Sequence, residues 1–169
     1  MLFPPARMKI DPLRCMGDWY VQRLVPASNW LEGTAHNGKE RYTYDEKTGS
    51  VQVKYTFNKG GFHGPVVTTY QQGRVRTENK ERFGTSWAVR PYLGFLYIPF
   101  YLPFELQYNI IDIDPVDYKF IVCSAPNGSW MYVMTREQEV DDAFLAPALT
   151  KLAAVGFDMS KVRKMQQRK

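Results

Sequence analysis

The stretch Gly17-Asp18-Trp19-Tyr20, answered far downstream by Thr135-Arg136 at the end of the last strand-like segment, decides how this chain folds. The glycine permits a tight turn where a side chain would collide, and the tryptophan two residues on is large enough to plug one end of a small barrel. A distant arginine can lay its guanidinium over the indole face, a contact worth about 0.5 to 2 kcal/mol depending on desolvation. Alone, a Gly-x-Trp-Tyr string is a weak signal, because a buried tryptophan near a glycine is commonly just core. What lies between the two ends makes it specific.

Strand-like alternation covers Trp19 to Leu24, Glu40 to Tyr44, Val51 to Phe57, Pro65 to Gln71, Arg74 to Glu78, Ser86 to Arg90, Tyr108 to Ile113, Tyr118 to Ser124 and Trp130 to Thr135. Turn signals separate most of them, notably Asp45 to Gly49, Gln72-Gly73 and Pro126-Asn127-Gly128. Such a series makes an antiparallel meander. Closing it removes both unpaired edges, and about eight strands leave room for one small ligand. One helix stands out near the C-terminus: Phe144, Leu145, Ala148, Leu149, Leu152 and Val155 share a face, Asp141 and Asp142 suit its start, and Gly156 suits its end. Pro147 would remove a hydrogen bond inside it, so the regular helix is expected to begin at Pro147.

With Tyr108 to Asp114, Tyr118 to Cys123, Trp130 to Arg136 and Gly156-Phe157-Asp158 at these intervals, the chain resembles the lipocalins over roughly Met16 to Gln167. Within them it is similar to the group holding bacterial lipocalin, apolipoprotein D and the plant temperature-induced lipocalins. The resemblance implies an all-β fold: an eight-stranded up-and-down antiparallel β-barrel with one C-terminal helix packed outside it. Gly17, Trp19, Tyr20, Asp114 and Arg136 would then be structural motif residues. Residues 1–15 form an N-terminal arm and residues 16–169 the lipocalin domain.

Alternate residues of a barrel strand point inward, so Tyr108 and Ile110 share a face, as do Trp130 and Tyr132. Tyr55, Phe57, Trp87 and Val89 are lining candidates by the same parity. By resemblance to apolipoprotein D, Tyr108, Tyr132 and Tyr42 match pocket positions. Each of these aromatics could equally be simple core filling. Together they describe an apolar cup with a few phenol hydroxyls, suited to an elongated amphipathic ligand. Trp30, in the long first loop, is either a lid over the mouth or a packed loop anchor.

Residues 91–104 hold no charge, and three prolines and a glycine prevent a regular helix. The segment is too short to span a bilayer. Tyr92, Leu93, Phe95, Leu96, Tyr97, Ile98, Phe100, Tyr101, Leu102 and Phe104 are candidates for contact with a membrane or a partner protein, the alternative being that they fold inward over the mouth. Plant temperature-induced and chloroplastic lipocalins carry a similar proline-rich loop associated with membrane attachment.

The net charge of +5 is densest at Lys161, Arg163, Lys164, Arg168 and Lys169. No nucleic-acid motif accompanies it, so a solvated terminus or an anionic membrane surface is expected. Cys15 and Cys123 could bridge in principle, but two buried free thiols are the preferred expectation. Met1 to Cys15, broken by Pro4, Pro5 and Pro12, lacks the apolar core of a signal peptide. The expected location is therefore intracellular or organellar and peripheral to a membrane, unless a leader has been removed.

No catalytic residue and no metal ligand set is expected. His36 and His63 sit in loop-like contexts and read as solvated, and Gly60-Gly61 and Gly64 precede no helix and so do not read as a phosphate loop. Asp112 falls by parity on the Tyr108 face. There it would either pair with a basic residue or, as in a lipocalin enzyme acting on carotenoid epoxides, serve catalysis. The expected function is binding, storage or transport of a small hydrophobic ligand: a fatty acid, lipid, sterol, retinoid or carotenoid. No cofactor is expected beyond such a lipid or carotenoid. The alternatives are a structural subunit of a membrane complex and, less favoured, a polyene-modifying enzyme.

Overall fold

Gly17, at φ +97°, carries the chain out of a 3-10 turn at Pro12–Cys15 and into β1 (Gly17–Val25). A Cβ there would lie 3.3 Å from Nη1 of Arg136, so the glycine also makes room for the arginine. The guanidinium carbon of Arg136 sits 3.6 Å from the centroid of the Trp19 ring. Arg136 Nη1 donates to the Asp18 carbonyl at 2.9 Å and Nη2 to that of Arg14 at 2.7 Å, while Trp19 Nε1 donates to the Cys15 carbonyl at 2.7 Å. These bonds seal one end of a barrel.

The computed structural model describes residues 2–96 and 98–168. After β1 come β2 (Ala35–Asp45), β3 (Ser50–Lys59), β4 (Val66–Val75), β5 (Ser86–Pro91), β6 (Leu106–Ile113), β7 (Phe120–Ser124) and β8 (Met131–Thr135). Each pairs antiparallel with the next, and β1 pairs with both β2 and β8, which closes the ring. The expected turn at Gln72-Gly73 is absent. Both residues lie within β4, where Gly73 pairs with Val51 and Val89 and a Cβ would come within 2.9 Å of the Ala88 carbonyl. Glycine is thus a close-packing residue here, not a turn.

Along β6 strand parity holds until a bulge between Ile110 and Asp112, where Ile110 opposes Cys123 and Asp112 opposes Val122. The extra residue returns Ile113 to the interior and turns Asp112 outward. The expectation that Asp112 shares the Tyr108 face is therefore wrong. Its carboxylate accepts from Lys151 Nζ at 3.1 and 3.2 Å on the helix outside.

That helix, α2 (Asp142–Ala154), starts at Asp141, whose side chain accepts from the Phe144 N–H at 2.9 Å. It ends at Gly156, φ +84°, in a Schellman arrangement: Phe157 N–H to Leu152 O and Gly156 N–H to Ala153 O, both 3.0 Å. Pro147 lies inside the helix, not at its start. The exposed proline costs its own N–H bond but leaves the packed face intact. That face is Leu145, Ala148 and Leu152, whereas Phe144 and Val155 are solvent-exposed. The packed residues meet Val25, Val122, Met131 and Val133 on the barrel's outer surface. β8 is consequently buried on both sides, with Tyr132 and Met134 inward and Met131 and Val133 under the helix.

The N-terminal arm runs up the outside of the barrel. Ile10 N–H donates to Phe83 O, Ala6 N–H to Ile110 O and Phe3 N–H to Pro126 O, at 3.0, 2.9 and 2.6 Å. Phe3 is buried against Phe157, ring centroids 4.7 Å apart. The basic C-terminal stretch is not a loose solvated terminus. Arg163–Lys164 form β9 on β1, Lys164 pairs with Asp142, Lys161 pairs with Asp158, and Gln167 donates to the Val21 and Gly38 carbonyls. Lys169 lies outside the described residues.

Candidate ligand site

Inside the barrel the aromatic candidates form one continuous ladder. From Trp130 at the rim, centroids are 5.1 Å to Tyr108, then 5.7 Å to Trp87 and 5.4 Å to Tyr42. On the other side, Trp130 lies 5.5 Å from Tyr132, which lies 5.8 Å from Tyr55, and Tyr55 lies 5.1 Å from Phe57. Val89 and Ile110 complete the inner face. Apart from Trp130, which is half-buried, all of these are buried. Trp130 precedes β8, at the end away from Trp19, and Tyr42 opposes Gly17 at the sealed end.

The interior is not the apolar cup expected, because two carboxyl groups share it. Glu40 alternates with Tyr42 along β2 and is completely buried. Its Oε2 accepts from Tyr42 Oη at 2.6 Å and from Tyr108 Oη at 3.4 Å, and the two phenol oxygens are 2.5 Å apart. Its Oε1 has no hydrogen-bond partner, while the phenol of Tyr55, directly opposite Glu40 in the β2–β3 pairing, lies beside the Glu32 carboxyl. Burial pushes the Glu40 carboxyl up to about 7, against the pull of the Tyr42 hydrogen bond, with help from the negative charge of Glu32.

Glu32 arrives from above, on the one-turn helix α1 (Asn29–Glu32). Its Oε2 accepts from the Ala27 and Ser28 N–H groups and its Oε1 accepts from Tyr132 Oη at 2.6 Å. Burial raises this carboxyl too, offset by those donors and by the charge of Arg163. Tyr42, Tyr55, Tyr108 and Tyr132 are all held well above the ordinary phenol range, burial being the main cause, so each stays a neutral hydroxyl.

Trp30 does not line this space: it is 67% exposed, with Lys59 Nζ 4.5 Å from its ring centroid. His36 lies within β2, not a loop, and packs against Phe62 at 4.9 Å, while His63 is exposed. Cys15 and Cys123 are free and buried. Burial pushes the Cys15 thiol up to about 12 and raises that of Cys123. No cluster of potential metal ligands occurs among the described residues.

The 91–104 segment folds back on itself: Tyr92 and Tyr101 bridge, Leu93 N–H donates to Phe100 O and Leu102 N–H to Pro91 O. Phe100 and Phe104 are exposed, while Tyr92, Leu93, Ile98, Tyr101 and Leu102 are half-buried. The side chains of Phe95 and Leu96, and Tyr97 altogether, lie outside the described residues. Among the described residues no helix is long and apolar enough to cross a membrane.

A closed eight-stranded barrel sealed by a tryptophan–arginine contact and flanked by one helix is lipocalin architecture. The lipocalin-like domain family matches residues 10–167, and the chain belongs to that family. Among curated proteins it is similar to the outer membrane lipoprotein Blc of Vibrio cholerae, 23% identical over 127 residues, which is 75% of this chain and 73% of that protein. Among solved structures it is similar to lobster apocrustacyanin A1 (TM-score 0.61, 13% identity, 99% of this chain and 92% of that one). It also resembles the cockroach allergen Per a 4 (0.64, 18%, 97% and 92%) and insecticyanin of the tobacco hornworm Manduca sexta (0.63, 15%, 100% and 86%). At these identities the structural matches establish the fold alone.

Sequence reasoning missed Glu40 and Glu32. Parity could have found the first, since a residue two before an inward Tyr42 must also point inward.

Proposed function

We infer that this protein binds one small, slender hydrophobic molecule within the barrel, entering past Trp130 and lying along the aromatic ladder. The observation that carries this is the ladder itself, an unbroken run of rings from the rim to the sealed end with phenol hydroxyls within it; because Tyr42, Trp87, Tyr108 and Tyr132 are at most 5% exposed, a ligand enters by parting these rings. Membership of the lipocalin-like family supports the same conclusion. The proteins matched in structure include a siderocalin described as having dual ligand specificities.

Contact with a membrane through the folded 91–104 segment completes the proposal. It rests on the exposed Phe100 and Phe104, and on the naming of the Vibrio cholerae relative as an outer membrane lipoprotein. Catalysis on a polyene loses its sequence-based candidate, because Asp112 faces Lys151 outside the barrel.

Titration with N-phenyl-1-naphthylamine tests the binding. Saturable, one-to-one energy transfer from Trp87 and Trp130 is the expected result, and no uptake by the folded protein would overturn it.

A further inference from the structure

We propose that residues 163–168 form a releasable strap whose Met165 side chain occupies interior space that a bound ligand takes, so that binding drives the strap off the barrel wall. This deepens the binding function above and rests on it. β1 and β2 share a ladder only at the sealed end, where Gly17, Asp18, Trp19 and Tyr20 pair with Tyr42, Arg41, Glu40 and Lys39. Beyond Tyr20 the two strands part. β1 runs on against β8 and β9, while β2 breaks register between His36 and Lys39, where Asn37 takes a left-handed φ of +52°. Residues 163–168 lie across the gap.

The strap is fastened to both strands. On the β1 side Met165 N–H donates to the Gln22 carbonyl at 2.9 Å. On the β2 side Asn37 N–H donates to the Gln166 carbonyl and Arg168 N–H to Asn37 Oδ1, both at 2.8 Å. The Gln167 amide spans the gap itself, its Nε2 donating to the Val21 and Gly38 carbonyls at 2.8 Å each. A side chain therefore stands where ladder rungs are missing. Between these bonds Met165 turns inward: it is 1% exposed and belongs to the interior cluster. Its Cε lies 2.8 Å from where a Gly38 Cβ would be, and Tyr55 Oη lies 3.2 Å from that same point. The strap thus supplies part of the barrel's filling, beside the Tyr55 of the ladder.

This is the part of the filling that yields most readily. Tyr42, Tyr55, Trp87, Tyr108 and Tyr132 sit on strands paired on both sides, so none of them can leave without unfolding the sheet. Within the strap, Met165 is the one buried residue. The rest of its attachment is hydrogen bonds and the exposed Lys164–Asp142 ion pair, which water replaces at small net cost. The closed strap also carries an unmet donor, because Arg163 Nε is buried with no partner among the described residues, and release returns it to water. Arg163 Nη2 donates to the Glu32 carbonyl of α1, so the same release unfastens the helix over the barrel mouth. Mouth and strap are mechanically joined.

The test follows tryptic cleavage after Lys164 by mass spectrometry, on the full chain, with and without saturating N-phenyl-1-naphthylamine. In the free protein that bond lies in the β1–β9 pairing and is cut slowly. The bound probe is expected to speed the cut roughly tenfold, because cleavage tracks the population of the open strap. Met165→Ala, which gives up the interior space in advance, is expected to bind the probe roughly tenfold more tightly, the scale of one large buried side chain. Gln167→Ala opens no interior space and only loosens the strap, and is expected to tighten binding about fivefold. Cleavage after Lys164 that bound probe slows or leaves unchanged overturns the inference while the binding function stands, as does a Gln167→Ala chain that binds no more tightly than wild type. Should that variant fail to fold, the wild-type cleavage decides. A wild-type chain that takes up no probe at all overturns both.

Discussion

Glu40 carries a free-energy cost that depends on pH, and the sign follows from its direction of shift. Its carboxyl titrates near 7 when folded and near the ordinary carboxylate range when unfolded. Between those values the folded chain holds a proton that the unfolded chain has lost, so stability falls as pH rises through that window and levels off above it. The separation corresponds to about 3 kcal/mol. Glu40→Gln is therefore expected to match the wild type near pH 4.5 and to exceed it in urea midpoint at pH 8; equal midpoints at both pH values would contradict this. The two thiols give a second expectation. With Cys15 pushed up to about 12 and Cys123 also raised, both buried, native protein should react with a disulfide reagent orders of magnitude more slowly than denatured protein. The Trp19–Arg136 closure was legible because a glycine, an indole and an arginine at fixed intervals have one economical arrangement. Glu40 was within reach of the same parity that places Tyr42, but its polar side chain does not announce an interior position.

Elements were legible where periodicity was clean and misread where one residue type has two uses. Gly73 looked like a turn and is a close-packed strand residue, so two expected strands are one. Pro147 looked like a helix start and sits six residues in, since the Asp141 cap and the buried Leu145, Ala148 and Leu152 outweigh one lost hydrogen bond. An exposed interior proline costs about 3 kcal/mol relative to alanine in isolated helices. Pro147→Ala is thus expected to stabilise the protein by ~1 to 3 kcal/mol in urea unfolding, while a loss of stability would show that the ring is used in packing. The bulge at Ile111 moved Asp112 to the outside, and a one-residue insertion of that kind leaves no trace in an alternating pattern. For the 91–104 segment, membrane contact predicts that wild-type protein floats with anionic vesicles and that the double change Phe100→Ser, Phe104→Ser abolishes flotation without altering the unfolding midpoint. Equal flotation of both proteins would place the contact elsewhere.

The barrel as a whole is bound together on two faces, an aromatic interior and an aliphatic layer beneath α2, with the arm and β9 strapped across the outside. Phe3 belongs to the outer layer, and Phe3→Ala should cost about 3 kcal/mol in urea unfolding, a typical figure for deleting a buried ring. A cost near zero would mean that the arm contributes no packing. The general architecture could be read from strand spacing and the sealing motif, while the polar heart of the interior could not, because it depends on which side chains meet across strands distant in sequence. That interior is the proposed seat of function, so the decisive measurement is native mass spectrometry, with organic extraction, of the protein isolated from the cells that make it. A single stoichiometric apolar molecule, carried by one copy of the chain, is the predicted result. A bare polypeptide mass, or an empty barrel found only in company with other protein subunits, would contradict a ligand-binding role and point to a structural one.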